Sequence, residues 1–281
     1  MERIVLKVGG SELDGVSRQS LAPRQEADFV DGLIAALGTL RQKYAVSLVH
    51  GGGKTIANLQ SRLGLVPRAV DGLRVTDDES LDVAEMVLSG LVNKRLVARL
   101  VTGGVPAVGL SGVDNGLFRT AKMAHPSGDL GWVGDIVDTH AADVEALLSL
   151  GVVPVISPIS LGVDGHTYNV NADHAALALA SALGAAELVF VSNVPGVLCS
   201  NESAERACAP LLTSQQVDEL VACGEIQGGM IPKVRSALGA LDAGVHCVRI
   251  TDLEGLACDG GTRFVKESHI HRPVFSEKAG L

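Results

Sequence analysis

Glycine clusters close two strands and open one helix in this chain, and two of the three carry a lysine. Ile4-Val5-Leu6-Lys7-Val8-Gly9-Gly10 and Val46-Ser47-Leu48-Val49-His50-Gly51-Gly52-Gly53 are apolar extended runs that end in glycine. Gly228-Gly229-Met230-Ile231-Pro232-Lys233 leads into a helix, with proline suited to its first turn. Glycine has no Cβ, so successive backbone N–H groups can converge on one set of anionic oxygens. A helix that starts directly behind such a turn adds its unpaired N–H groups and the positive end of its dipole. The chemistry these residues suit is the grip of phosphoryl oxygens, with Gly9, Gly10, Gly51, Gly52 and Gly53 as backbone donors and Lys7 and Lys233 as full charges.

Two further stretches carry polar groups at telling spacings. Tyr168-Asn169-Val170-Asn171-Ala172-Asp173-His174 sets two amides and a carboxylate at alternate positions across a strand-to-helix junction. Asn169 and Asn171 then face one side, and Asp173 falls in the first helical turn. Helix capping accounts for one of the three. Gly72-Leu73-Arg74-Val75-Thr76 places an arginine in a loop before a long helix, where its planar fork suits a carboxylate.

Other phosphate signatures fail. Gly53-Lys54-Thr55 looks like the end of a Walker A loop, but Leu48 stands where that loop needs its first glycine. No GxGxxG follows the first strand, which counts against a dinucleotide fold. His269 and His271 make an isolated HxH, read as ordinary surface residues, and no metal-ligating set is assigned.

These groups need a scaffold, and the composition favours one. Hydrophobic residues make up 47% of 281 but aromatics only 3%, so the core is aliphatic, as in buried parallel strands covered by Ala- and Leu-rich helices. The formal net charge of −9, with no Lys/Arg run longer than two, argues against nucleic acid or an anionic membrane as partner. Five scattered cysteines without CxxC, no signal-peptide pattern and no long uncharged apolar run suggest a soluble, cytoplasmic chain.

Periodicity predicts helices at about 20–43, 54–63, 78–102, 140–150, 172–183, 213–222 and 230–243. Strands are expected at the two glycine-ended runs, 105–110, 152–156, 188–191 and 246–250. A β-hairpin outside the main sheet is expected over 111–139, and a second over 159–171 turning at Asp164-Gly165. Residues 200–209 read as a surface loop and 267–281 as a tail with a disordered end. Strands alternating with helices imply an α/β fold, a three-layer αβα sandwich around a central, mostly parallel open sheet. The expected division is a lobe of 1–184 and a lobe of 185–281 on one continuous sheet.

Taken in order, Lys7-Val-Gly-Gly, His50-Gly-Gly-Gly, Gly72-Leu-Arg-Val-Thr, Gly109-Leu-Ser-Gly-Val-Asp114, Asn169-Val-Asn-Ala-Asp173 and Gly229-Met-Ile-Pro-Lys233 resemble the signatures of the amino acid kinase family. The likeness spans about 1–265 and implies that the lobe of 1–184 serves the amino-acid substrate and dimerisation and the lobe of 185–281 the nucleotide. It is strongest to members that phosphorylate the side-chain carboxylate of N-acetyl-L-glutamate with ATP and Mg²⁺ in arginine biosynthesis. The resemblance implies that Lys7 and Lys233 contact the transferring phosphoryl group and that Asp173 holds both ammonium groups. It implies that Arg74, Asn169 and Asn171 hold the acyl amino acid. The nucleotide is expected near Ser192, Asn193, Gly196, Val197, Gly229 and Met230. Asn193 departs from the aspartate many members carry. The chain begins at its first strand, and 251–264 does not match the effector segment of arginine-inhibited members, so an arginine-insensitive homodimer is expected. Two other readings stay open: a kinase of carrier-protein-bound aminoadipate or glutamate in lysine biosynthesis, and a non-catalytic nucleotide or amino-acid sensor.

Overall fold

The computed structural model describes residues 1–10, 13, 29–70, 73–200 and 206–266. In chain order the elements are β1 (Glu2–Val8), α1 (Phe29–Leu40), β2 (Tyr44–His50), α2 (Gly53–Arg62), β3 (Ala69–Val70), β4 (Leu73–Arg74) and α3 (Asp78–Glu85). A π-helical stretch, Met86–Val92, joins α3 to α4 (Asn93–Thr102). Then come β5 (Ala107–Gly112), β6 (Phe118–Lys122), β7 (Gly134–Thr139), α5 (Ala142–Ser149), β8 (Val153–Gly162), β9 (Thr167–Asn169), α6 (Ala172–Ala182) and β10 (Glu187–Val191). The chain continues through β11 (Leu198–Ser200), β12 (Arg206–Cys208), β13 (Leu211–Leu212), α7 (Ser214–Ala222), α8 (Met230–Asp242), β14 (Val248–Thr251), α9 (Leu253–Cys258) and β15 (Thr262–Phe264).

Among the described residues eleven strands form one sheet in the order β13-β15-β14-β10-β1-β2-β8-β6-β7, with β5 and β9 also paired to β8. The central pairs β1–β10, β1–β2, β10–β14, β2–β8 and β5–β8 are all parallel. Alternation along β1 divides the core. Ile4, Leu6 and Val8 join a cluster with α1, α4 and the π stretch, whereas Val5 joins one with α5, α6, α7 and α8. Helices thus cover both faces, and the expected three-layer α/β architecture is what the chain adopts.

Four expectations need correction. The 111–139 hairpin, as β6 and β7, is not outside the main sheet: Arg119 pairs with Leu161, because β8 runs on for ten residues and offers its far half to β6 and β9. The 78–102 helix forms, but with seven π-helical residues inside. Within 200–209, β12 pairs antiparallel with β11, so part of the expected loop is a two-stranded ribbon. Periodicity also missed α9 and β15; α9 is six residues and β15 three, too short for a repeat to register. The expectations for 20–28 and 267–281 lie outside the described residues. Arg249, almost fully buried on β14, pins this end of the sheet by pairing with Glu187 at 2.9 Å and Asp259 at 3.1 Å. Among the described residues no helix is long and apolar enough to cross a membrane.

Candidate active site

Both glycine clusters leave the carboxyl ends of adjacent parallel strands, since Lys7 pairs with Val49 and Val8 with His50. The turns then lock together: Gly51 N–H donates to Val8 O at 3.1 Å. A Cβ built on Gly10 would lie 2.7 Å from Gly52 N and 2.9 Å from Gly53 N, so glycine at 10 is what lets the two backbones touch. Behind them, Leu88 and Val92 of the π stretch close on Gly52. Helix α2 begins at Gly53, and its N-cap Gly52 supplies no side-chain bond. Gly10, Gly51, Gly52 and Gly53 thus meet as bare backbone at a helix start, with Gly9 beside them in sequence and the Gly51 N–H held by Val8 O; an arrangement of this kind suits anions.

Lys7 follows the alternation of β1 and points to the face where Val5 lies and α6 packs. Its Nζ is 2.8 Å from Asp173 Oδ1, with the side chains 18% and 27% exposed. The contact is an ion pair rather than an aligned hydrogen bond. Asp173 stands in the first turn of α6, whose N-cap Asn171 accepts the Asp173 N–H at 2.7 Å. Capping is thus one task of Asn171, which is itself exposed. Tyr168 and Val170 turn inward while Asn169 and Asn171 turn outward, as the spacing predicts.

His50 is wholly buried, which the sequence reading did not use. The signal was available: Val46, Leu48 and His50 alternate on one face of a strand with buried neighbours. Asn93 Nδ2 lies 3.1 Å from His50 Nε2, and His50 Nδ1 lies 3.0 Å from Gly51 O. Burial drives the imidazole pKa down to about 4, against a raising hydrogen bond to Gly51 and with a lesser lowering push from Lys94, so the ring is neutral at pH 7.

On the acceptor side, Arg74 lies on β4, paired with Ala69, and Val75 N–H donates to Arg68 O. Thr76 connects this segment to the rest: its carbonyl accepts Trp132 N–H, its hydroxyl accepts Asn169 Nδ2 at 3.3 Å, and Asn169 N–H donates to Trp132 O. Trp132 Nε1 reaches Asp78 at 2.5 Å, and its ring meets His166 and Tyr168. The buried Tyr168 phenol, donating to Asp164 at 2.7 Å, is pushed up to about 12 by burial and that carboxylate. Arg74, Asn169 and Trp132 are therefore tied by one backbone network. Trp132 was missed because its partners are distant in sequence.

Across the sheet a cavity of about 420 Å³ is lined by Val194, Gly196, Val197, Leu198, Ile226 and Met230, with Arg206, Gly224, Glu225 and Gln227 completing its walls. Of the expected nucleotide residues Gly196, Val197 and Met230 line it; Asn193 and Gly229 directly adjoin wall residues in the chain, and Ser192 is two residues before Val194. Ser192 is buried and its hydroxyl accepts Val194 N–H at 3.3 Å, whereas Asn193 is exposed. Gly196 sits at φ 150°, with Cys208 and Thr262 too close for any side chain. Lys233 is in the first turn of α8, on the same sheet face as Lys7 and α6. Sequence reasoning found the glycines but not Leu198, Arg206 or Ile226, which come from a ribbon and a turn without periodicity.

Comparison with known proteins supplies the affiliation. A family model described as the amino acid kinase family matches residues 2–252. A Roseiflexus castenholzii protein named acetylglutamate kinase is 50% identical over 95% of this chain and 96% of its own length. One of that name from Chloroflexus aurantiacus is 49% identical over 92% and 95%. The solved N-acetylglutamate synthase of Neisseria gonorrhoeae, complexed with coenzyme A and N-acetyl-glutamate, superposes with a TM-score of 0.75 at 26% identity, covering 95% of this chain and 60% of that one. With the interlocked glycine turns and the lysine–aspartate pair already in place, these matches show that the chain belongs to the amino acid kinase family.

Proposed function

We propose that the protein transfers the γ-phosphoryl group of ATP to the side-chain carboxylate of N-acetyl-L-glutamate, giving N-acetyl-L-glutamyl 5-phosphate for arginine biosynthesis. The observation that carries the chemistry is the backbone-to-backbone contact of Gly10 with Gly52, flanked by Lys7 held on Asp173. The acceptor follows from relatives named acetylglutamate kinase over nearly the whole chain.

A carboxylate acceptor is ionised at pH 7, so no general base is required. The task is to bring an anion onto a polyanion, and positioning with electrostatic stabilisation supplies the catalysis. Lys7 and Lys233 offset charge on the moving phosphoryl oxygens, Asp173 fixes their ammonium groups, and Gly9, Gly10, Gly52 and Gly53 donate N–H groups, while the Gly51 N–H stays on Val8 O and ties the two turns together. Arg74, Asn169 and Asn171 hold the acceptor. Ser192, Asn193, Gly196, Val197, Gly229 and Met230 hold the nucleotide beside the cavity, so that 1–184 serves the acceptor and 185–281 the ATP.

The residues suit a Mg²⁺ that arrives with the nucleotide, because Asp173, the carboxylate paired with Lys7, is already engaged. Such an ion keeps waters and binds substrate phosphates, where it neutralises charge. The reading includes a homodimer; Met86 and Val101, both more than half exposed on the α3–α4 element, supply apolar surface for it. ADP release measured with and without N-acetyl-L-glutamate, and with carrier-bound aminoadipate, tests the function. Release that depends on N-acetyl-L-glutamate is expected. Release only with the carrier-bound acceptor, or none, would overturn it.

A further inference from the structure

The peptide between Gly51 and Gly52 is gripped from the side opposite the cradle, and the grip has a definite polarity. Val155 O and Leu110 O only accept, so the Asn93 atom facing them at 2.9 and 3.3 Å is the amide nitrogen. That nitrogen also faces His50 Nε2 at 3.1 Å, which makes Nε2 the acceptor of the imidazole. The single proton of the neutral ring is then on Nδ1, 3.0 Å from the Gly51 carbonyl oxygen. A trans peptide carries its C=O and N–H on opposite sides. With the Gly51 carbonyl drawn to His50, the Gly52 nitrogen is turned to the Gly10 side, where a Cβ on Gly10 would meet it at 2.7 Å. Asn93 itself directly follows the π stretch, whose Leu88 and Val92 press on Gly52.

We propose that His50 is a positioning residue for phosphoryl transfer: with its tautomer set by Asn93, it pins the Gly51–Gly52 peptide so that the Gly52 N–H faces the transferring group. This rests on the phosphotransfer reading above. A glycine-flanked peptide has little steric preference between its two orientations, so a buried donor beneath it decides which one is presented. An aliphatic residue would fill the same space without choosing.

Three variants separate the donor from the volume. His50→Asn keeps an amide donor near the place of Nδ1, His50→Gln carries it one bond further, and His50→Leu has none. In full-length protein assayed with ATP and N-acetyl-L-glutamate, His50→Leu should lower kcat about tenfold or more while KM for the acceptor stays within about threefold. His50→Asn should recover much of that loss. Unchanged kcat in His50→Leu, or equal losses in His50→Leu and His50→Asn, overturns the proposal. Should His50→Leu fail to fold by circular dichroism, the polar pair decides: kcat about fivefold higher in His50→Asn than in His50→Gln supports it, and parity overturns it. Calorimetric titration with ADP and with the imido analogue of ATP gives a readout that needs no acceptor. Loss of the pinned donor should shrink the analogue's advantage over ADP about tenfold, and an unchanged ratio overturns the role. Wild-type protein that binds both nucleotides but does not turn over N-acetyl-L-glutamate would sink the acceptor assignment alone.

Discussion

Around Gly10 and Gly52 the chain meets itself backbone to backbone, between central parallel strands and over a buried His50–Asn93 pair. Around Gly196 and Met230 the walls come instead from a three-residue ribbon strand, a turn near Gly224 and the first residue of α8. Under the proposed function the contrast answers to the two halves of a nucleotide. Phosphoryl oxygens in flight need donors fixed before reaction, because reorganising them would add to the barrier. A base and ribose need apolar area, which side chains of many shapes supply. One region is therefore intolerant of change at the level of single atoms, and the other is expected to trade affinity gradually.

The sharpest way to test that contrast is to remove a charge from the first region. Lys7→Ala should cut kcat at least about 100-fold with the circular dichroism spectrum retained, and Lys233→Ala should do the same. Near-normal turnover in both would remove the mechanism. Next in size is Gly10→Ala, whose methyl meets backbone that has no room to move. It should lower kcat about tenfold or more and cost about 1–3 kcal/mol in denaturant unfolding. Gly53→Ala meets nothing within 4 Å and should leave stability unchanged within error, so equal destabilisation of the two would contradict the locked turns. In the second region, Met230→Ala should raise KM for ATP about three- to tenfold with kcat within about twofold. A collapse of kcat there would erase the distinction.

A separate effect, on stability rather than turnover, concerns acid. His50 keeps a folded-state pKa of about 4 against an ordinary value of 6.5, because burial disfavours its charged form and Lys94 adds a lesser push, against the raising hydrogen bond to Gly51. As pH falls below 6.5 the unfolded chain takes up a proton that the native ring refuses, so stability declines until about pH 4 and this group adds nothing further below that. At pH 5 the loss is about 2 kcal/mol relative to neutral pH. Thermal unfolding of wild type against His50→Asn between pH 7 and 5 isolates it. Parallel pH slopes in the two proteins would show that the ring is not held neutral.

The parallel sheet was legible because buried strands and glycine stops alternate with helical repeats along the whole chain. Lys7 and Asp173 were legible as candidates, and their meeting at 2.8 Å required α6 to cross the face toward which β1 turns its odd-numbered residues. The hairpin of β6 and β7 was misplaced because its attachment depends on how far β8 extends, and β8 runs past Pro158 where local signals suggest a stop. The π stretch went unseen because its periodicity differs from that of an α-helix by less than one residue per turn.

By itself the sequence determined which backbone segments are free of side chains, which residues carry charge beside them, and the alternation of strands and helices that puts such segments at the carboxyl ends of parallel strands. Those are local properties, set by residue type and short-range spacing. Only the tertiary structure decided that Gly10 rests on Gly52, that Asn93 selects the tautomer of His50, and that Leu198, Arg206 and Ile226 share a cavity with Met230. The reason is physical: close packing and hydrogen-bond polarity depend on distances between atoms far apart along the chain, and no period in the sequence encodes them.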